Sequence, residues 1–248
     1  MTKKSKKKPA RKRASASLHS ERFPGECKAY RAARDKLLKA EMELRKRLEE
    51  VAAMRRKLPL GGLVSEDYEF EEGAAELEDT QTVRRVRLSE LLQPENRSLV
   101  VYSFMYGPKM AKACPMCTSI LDGLNGTAPH AAQRINLAVV AKSPIQRIRE
   151  YARGRGWRNL RLLSSAGNSY NQDYRGERPD GSQWPCLNVF VRRDGNIYHT
   201  YSTELMFAPK EPGQDFRHVD LIWPLWNLFD YTPEGRGTDW RPKLSYGQ

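Results

Sequence analysis

Two cysteines three positions apart, in Cys114-Pro115-Met116-Cys117, are the residues whose type and spacing most directly suggest chemistry in this chain. A thiolate at the first position can attack a disulfide, and the thiol one turn later can resolve the mixed disulfide that forms. The flanking sequence suits that order. Ser98-Leu99-Val100-Val101-Tyr102-Ser103-Phe104-Met105-Tyr106 is a β-branched and aromatic run stopped by Gly107-Pro108, the pattern of a buried central strand. After the pair, Thr118-Ser119-Ile120-Leu121-Asp122-Gly123-Leu124 can form a helix. The pair is therefore expected at a helix N-terminus, where unpaired N–H groups and the positive end of the dipole favour thiolate over thiol. Pro115 suits the first helical position, where its missing N–H costs little. Cys114 is the expected nucleophile, Cys117 the resolving thiol, and Pro115 a support for the helix start.

Two other readings of the pair stand beside this one. A CxxC is also half of a zinc site, yet no second CxxC or paired Cys/His motif completes it. Cys27, Cys186, His19, His130, His199 and His218 have no ligand-like spacing. The two thiols can also be inert structural cysteines. Placement after a buried strand favours redox chemistry, so no metal and no cofactor are assigned.

Such a pair needs a frame. Residues 135–141 read as a second buried strand, and Ser143-Pro144 as an N-cap with proline at the first helical position. Ile145, Ile148, Tyr151 and Ala152 give the next helix its apolar face, and Gly154 and Gly156 end it. The order strand, CxxC, helix, strand, helix is a βαβ unit with the pair at the carboxyl end of its first strand. Upstream, residues 67–70 and 83–88 alternate like two short strands, and 89–92 like a helical turn. Downstream, Trp184-Pro185 introduces a strand over 186–191, and Arg193-Asp194-Gly195-Asn196 turns it into a second strand over 197–201. A helix is expected from 219 to about 230, with Pro224 in its first turn or kinking it. Phe207, Phe216, Trp223, Trp226, Phe229 and Tyr231 form either a core cover, the commoner outcome, or a substrate groove. His199 and His218 read as structural residues rather than catalysts.

Composition bounds the remainder. The chain has 248 residues, 39% hydrophobic and 29% charged, with a net charge of +13. Gly 17 and Pro 15 are ordinary usage and exclude collagen-like or low-complexity classes. Lys3, Lys4, Lys6, Lys7, Lys8, Arg11, Lys12 and Arg13 are crowded at the start, and without them 35 bases face 30 acids. A like-charged run with Ser, Ala and Pro cannot bury apolar surface, so residues 1–22 are expected to be a disordered basic arm. A solvated tail is its plainest reading. With no aromatic residue to stack on bases, only weak, salt-sensitive contact with nucleic acid is expected of it. No run of about 18 apolar residues predicts a membrane span, and no apolar run follows the basic stretch as in a secretory signal, so a cytoplasmic location is expected. From Glu26 to about Lys57, apolar residues from Tyr30 through Leu37, Leu44 and Val51 to Leu58 recur at helical steps, until Pro59 and Gly61-Gly62 end the pattern. That stripe must be covered, either by its own domain or by a homodimer seam through this helix.

These features together resemble the bacterial thioredoxin-like family catalogued as domain of unknown function 899, from about Tyr30 to Tyr246. The residues that carry the resemblance are Phe104-Met105-Tyr106-Gly107-Pro108 with the CxxC, Gly156-Trp157, Leu163-Ser164-Ser165 and Asn171-Gln172-Asp173-Tyr174. Asn188-Val189-Phe190-Val191, Trp223-Pro224-Leu225-Trp226 and Thr232-Pro233-Glu234-Gly235-Arg236-Gly237 complete it in order. The resemblance implies an α/β thioredoxin-like fold, a central mixed sheet flanked by helices, and assigns no activity. The domain plan is then the arm over 1–22, a long amphipathic N-terminal helix over 23–60, and a thioredoxin-like domain over 61–248 with an aromatic-rich C-terminal extension. Residues 67–92 are similar to the hairpin that begins peroxiredoxins and related redoxin folds.

In thioredoxin-like folds a cis-proline starts the strand that faces the CxxC. Pro185 is the candidate, the alternative being an ordinary trans proline, and Cys186 would follow as a third thiol near the pair. The function expected is a thiol–disulfide oxidoreductase acting on a disulfide-containing protein or a small thiol substrate, with an unidentified reductant. One alternative is a peroxiredoxin-like thiol peroxidase, although Pro108-Lys109-Met110-Ala111-Lys112-Ala113 departs from the Pro-x-x-x-Thr pattern of that family. The other is a non-catalytic thioredoxin-fold binding protein whose basic arm contacts nucleic acid. No buried acid is identifiable as a proton relay, and Asp122 is expected to face solvent.

Overall fold

The structure is a computed structural model that describes residues 18–93, 98–209, 221–232 and 242–243. The predicted basic arm lies almost wholly outside those residues, as do Phe216 and His218. The chain divides into two units, Met1–Lys57 and Leu58–Gln248.

The first unit contains α1, Lys28–Arg56, shorter at both ends than the predicted 23–60. Cys27 caps it by accepting from the Tyr30 N–H at 3.4 Å. Arg55 and Arg56 sit in the last turn, where cations complement the helix dipole. Pairs such as Arg31–Asp35 at 3.2 Å and Arg47–Glu50 at 3.0 Å run along its surface. No residue of α1 is buried.

Among the described residues, the second unit holds eight strands. They are β1 (Gly62–Leu63), β2 (Glu69–Gly73), β3 (Val83–Arg87), β4 (Leu99–Ser103), β5 (Asn136–Ala141), β6 (Arg161–Ser164), β7 (Cys186–Arg193) and β8 (Asn196–Ser202). Helices α2 (Pro115–Ala131), α3 (Ile145–Arg155), α4 (Tyr170–Asp173) and α5 (Pro224–Phe229) complete it. The sheet order is β1-β8-β7-β4-β5-β6-β2-β3. β4, β5 and β6 run parallel, while β7 lies antiparallel beside β4 and forms a hairpin with β8. A parallel βαβ unit with a hairpin added beside its first strand is the thioredoxin-like arrangement, a mixed sheet flanked by helices. The β2–β3 hairpin stands where the sequence predicts one, and β6 joins it to the parallel core.

Strand alternation divides the core into two faces. On one face Tyr102, Val139, Ala141 and Leu162 pack with Cys117, Ile120 and Leu121 of α2 and with Ile148 and Ala152 of α3. On the other, Leu99, Val101, Val140, Leu163 and Phe190 pack with Leu88, Leu91 and Tyr170. Each large apolar side chain fully buried in this way contributes roughly 1.5–3 kcal/mol. Trp223, just before α5, is buried against α2 and donates to Ser119 Oγ at 3.1 Å. The C-terminal extension thus covers this helix, with Ile222, Leu225 and Phe229 packed on the same core.

Several boundaries differ from the sequence expectation. β4 ends at Ser103, and 104–106 leave the sheet toward α2. The N-cap of α3 is Pro144 rather than Ser143, because the Ser143 hydroxyl donates instead to the Tyr106 carbonyl at 2.7 Å. β6 has no alternating pattern and was not legible in the sequence as a strand. Of the helix expected from 219 to about 230, α5 is the α-helical part among the described residues, with Pro224 as its first residue, and 219–220 lie outside them. In the β7–β8 turn, Asp194 and Gly195 both have positive φ, 50° and 79°, as a type I′ hairpin requires.

Candidate active site

Strand β4 delivers the chain to the site. Beyond its last residue, Phe104 N–H still donates to Val140 O at 2.8 Å, holding the exit against β5. The loop then turns back, and Cys114 N–H donates to Met105 O at 3.2 Å. Cys114 is the extended N-cap of α2, with φ −64° and ψ 123°, and Pro115 is at the helix start. Thr118 ties the first turn from inside. Its N–H and hydroxyl reach Cys114 O at 3.0 and 2.9 Å, and its oxygen lies 2.9 Å from the Tyr151 hydroxyl.

The two thiols sit in different surroundings. Cys114 is half-buried and Cys117 is buried. The Cys117 thiol beside Cys114, then the N–H groups of Cys117 and Met116 facing its sulfur, hold the Cys114 pKa down to about 6 against the opposing effect of burial. Cys114 makes no ordinary capping hydrogen bond, so it is as an acceptor of charge, not as a cap, that the helix start affects it. Burial pushes the Cys117 thiol well up, and the neighbouring Cys114 adds to the shift. The surroundings therefore favour the thiolate at Cys114 and the protonated thiol at Cys117.

Arg147 of α3 holds the loop that leads to Cys114. Its guanidinium donates to Gly107 O at 3.1 Å and to Met110 O, and lies 4.2 Å from the centre of the Tyr106 ring. Gly107 makes a close approach, since a Cβ there would meet the buried Gln183 side chain at 2.7 Å and force it to shift. That contact places the segment leading to Pro185 against the CxxC loop. Pro185 directly precedes β7, whose first residue pairs with Ser103 at the carboxyl end of β4.

Cys186 is not drawn into the pair. Its register with Ser103 puts it on the opposite sheet face from Tyr102 and Cys117. Its sulfur lies 3.3 Å from Tyr174 O, to which the thiol donates, and 3.3 Å from Ser103 Oγ and Asn188 Nδ2, whose O–H and N–H groups it accepts from. Asn188 in turn bonds His199 Nε2 at 2.9 Å, so His199 is held within the fold. Asp122 also departs from expectation. It accepts from Arg155 Nε at 3.2 Å and from Trp157 Nε1 at 2.7 Å, which fastens α2 to the end of α3. A cavity of about 1060 Å³ lined by Tyr174, Asn188, His199 and Phe207 does not include either cysteine of the pair.

Tyr102, Arg147, Thr118 and Gln183 are site neighbours that motif spacing did not reveal. The apolar run of β4 marked Tyr102 as buried, but nothing local said that α2 covers its face of the strand. Among the described residues, no group of three or more His, Cys, Asp or Glu side chains is arranged to hold a metal ion. No helix among them is long and apolar enough to cross a membrane.

A model of the family described as "Bacterial protein of unknown function (DUF899)" matches residues 20–246. No curated protein matches the chain. Among solved structures, Enterococcus faecalis AhpC is 13% identical with a TM-score of 0.44, the match covering 72% of this chain and 98% of that one. The 2-Cys peroxiredoxin of Plasmodium vivax is 14% identical with a TM-score of 0.42, covering 65% and 96%. Peroxidoxin BcpB of Mycobacterium tuberculosis is 19% identical with a TM-score of 0.41, covering 67% and 95%.

Proposed function

We propose that this chain, which belongs to the DUF899 family of bacterial proteins of unknown function, is a thiol–disulfide oxidoreductase. The observation that supports this most is the contrast between its two helix-start thiols. Cys114 is half-buried with its pKa held down to about 6, and Cys117 is buried with its pKa raised. The Cys114 thiolate attacks one sulfur of a substrate disulfide, forming a mixed disulfide and releasing the other sulfur as a thiolate. Cys117 loses its proton to the released thiolate or to water, and its sulfur attacks Cys114. The bond between Cys114 and the substrate then breaks, the second substrate sulfur leaves with the electron pair, and the protein holds an intramolecular disulfide. An external thiol reductant returns the pair to its dithiol form.

Substrates of this reading are protein or small-molecule disulfides. Reduction of insulin with dithiothreitol as terminal reductant tests it. The parent protein is expected to accelerate insulin reduction, Cys114→Ser to fall to the background rate, and Cys117→Ser to stall after the first attack. Equal activity in all three proteins contradicts the proposal.

A further inference from the structure

Tyr102 lies on β4 in the same core cluster as Cys117. It has no exposed surface, and its hydroxyl finds no partner at full hydrogen-bond geometry, with the Cys117 sulfur as its weak neighbour. A buried hydroxyl left unpaired works against the fold, and such groups are uncommon in native interiors. Phenylalanine would fill the same space without that cost. The polar group bordering the hydroxyl is the Cys117 sulfur.

The chemistry of sulfur gives this arrangement a purpose. A neutral thiol is a weak acceptor, whereas a thiolate accepts strongly. In the resting dithiol Cys117 retains its proton, and the neighbouring Tyr102 hydroxyl only partly offsets the effects of burial and of Cys114 on its acidity. During resolution the Cys117 sulfur must carry negative charge in apolar surroundings, where a lone charge is costly. Tyr102 is the buried O–H donor beside it, and burial raises its own pKa so that it keeps its proton.

Resting on the dithiol reading above, we infer that Tyr102 is a catalytic residue of the second step, donating a hydrogen bond to the Cys117 sulfur as charge develops there. The Cys117 proton leaves to water or to the thiolate released in the first step. The sulfur's electron pair forms the bond to Cys114, and the bond from Cys114 to the substrate sulfur breaks. Tyr102 gives up no proton, so it returns to the resting state unchanged.

Single-turnover reaction with limiting dithiobis(nitrobenzoate) separates the steps, because the first coloured thiolate reports attack by Cys114 and the second reports resolution by Cys117. In Tyr102→Phe the first phase is expected to match the parent. The second is expected to slow about ten-fold or more, the effect of losing one hydrogen bond to a charged group. Its pH midpoint should also rise, and the thermal midpoint should stay level or rise because an unpaired hydroxyl is gone. An unchanged second phase overturns the inference, as does equal slowing of both phases with loss of stability. If Cys114→Ser still shows the first phase, it is the dithiol reading that fails, and that result is distinct from any change in the second phase.

Discussion

Cys114 and Cys117 differ by three positions in sequence and by opposite shifts in acidity. The Cys117 thiol and two amide N–H groups favour charge on Cys114, while burial withholds it from Cys117. Alkylation of Cys114 by iodoacetamide is therefore expected to follow thiolate formation, rising with pH to a plateau with a midpoint of about 6. Cys117→Ala removes the first cause of the shift, so the midpoint should move up toward the ordinary thiol value of ~8.5. Stability follows the same sign. Between about 6 and the ordinary thiol pKa, the folded chain has lost the Cys114 proton and the unfolded chain retains it, so reduced-state stability rises with pH. That contribution is complete above the unfolded value and is lost as pH falls through the folded one. Burial raises the folded pKa of Cys117, so it opposes this slope only near the top of the window, where Cys117 of the unfolded chain begins to ionise. Comparing thermal midpoints of the parent and Cys114→Ser across pH isolates the effect. The thiols themselves were legible in the sequence because their chemistry sits within four consecutive residues. Tyr102 was not, because its significance depends on which helix lies over its strand. Cys186 was misplaced for a related reason: adjacency to Pro185 says nothing about which sheet face it points to.

The site is held by elements that meet only in the folded chain. β4 and the start of α2 bracket Cys114, but the loop between them takes its form from α3. Arg147 spans that gap through the Gly107 and Met110 carbonyls and the face of Tyr106. Arg147→Met keeps much of the aliphatic stem while removing these contacts. It is expected to cost about 2 kcal/mol in chemical denaturation, the scale of charged hydrogen bonds and a cation–π contact. It should also raise the alkylation midpoint of Cys114, since the helix start is then less firmly placed. A full-stability variant with an unchanged midpoint contradicts this role for the arginine. The βαβ order around the pair was legible from apolar runs and their stops. The cap of α3 was not, because Ser143 has the right residue type for a cap but uses its hydroxyl on the Tyr106 carbonyl. β6 was missed because Arg161-Leu162-Leu163-Ser164 has neither alternation nor length to mark it.

At the scale of the whole molecule, the chain consists of two units, one with a long charged helix and one built, among the described residues, on an eight-stranded mixed sheet. Sheet order arises from pairings far apart in sequence, such as β4 with β7, and these are beyond reach of local pattern. The family resemblance supplied the architecture that periodicity could not, and residues 20–246 match that family. Charge is distributed differently from chemistry. Eight bases among the first thirteen residues leave a mildly basic remainder, with 35 bases and 30 acids. Deleting residues 1–13 is expected to leave disulfide turnover unchanged. If the arm contacts nucleic acid, the same deletion should remove a salt-sensitive component from a binding titration. Loss of turnover on deletion would instead tie the arm to the redox site.

The most direct measurement is mass spectrometry of the mixed disulfide formed with a limiting disulfide substrate. Cys117→Ser is expected to accumulate one substrate adduct, located on Cys114. Cys114→Ser is expected to form none on Cys117, and the parent should pass through the adduct to an internal Cys114–Cys117 disulfide. An adduct that favours Cys117, or one that forms equally well without Cys114, contradicts the assignment of Cys114 as nucleophile.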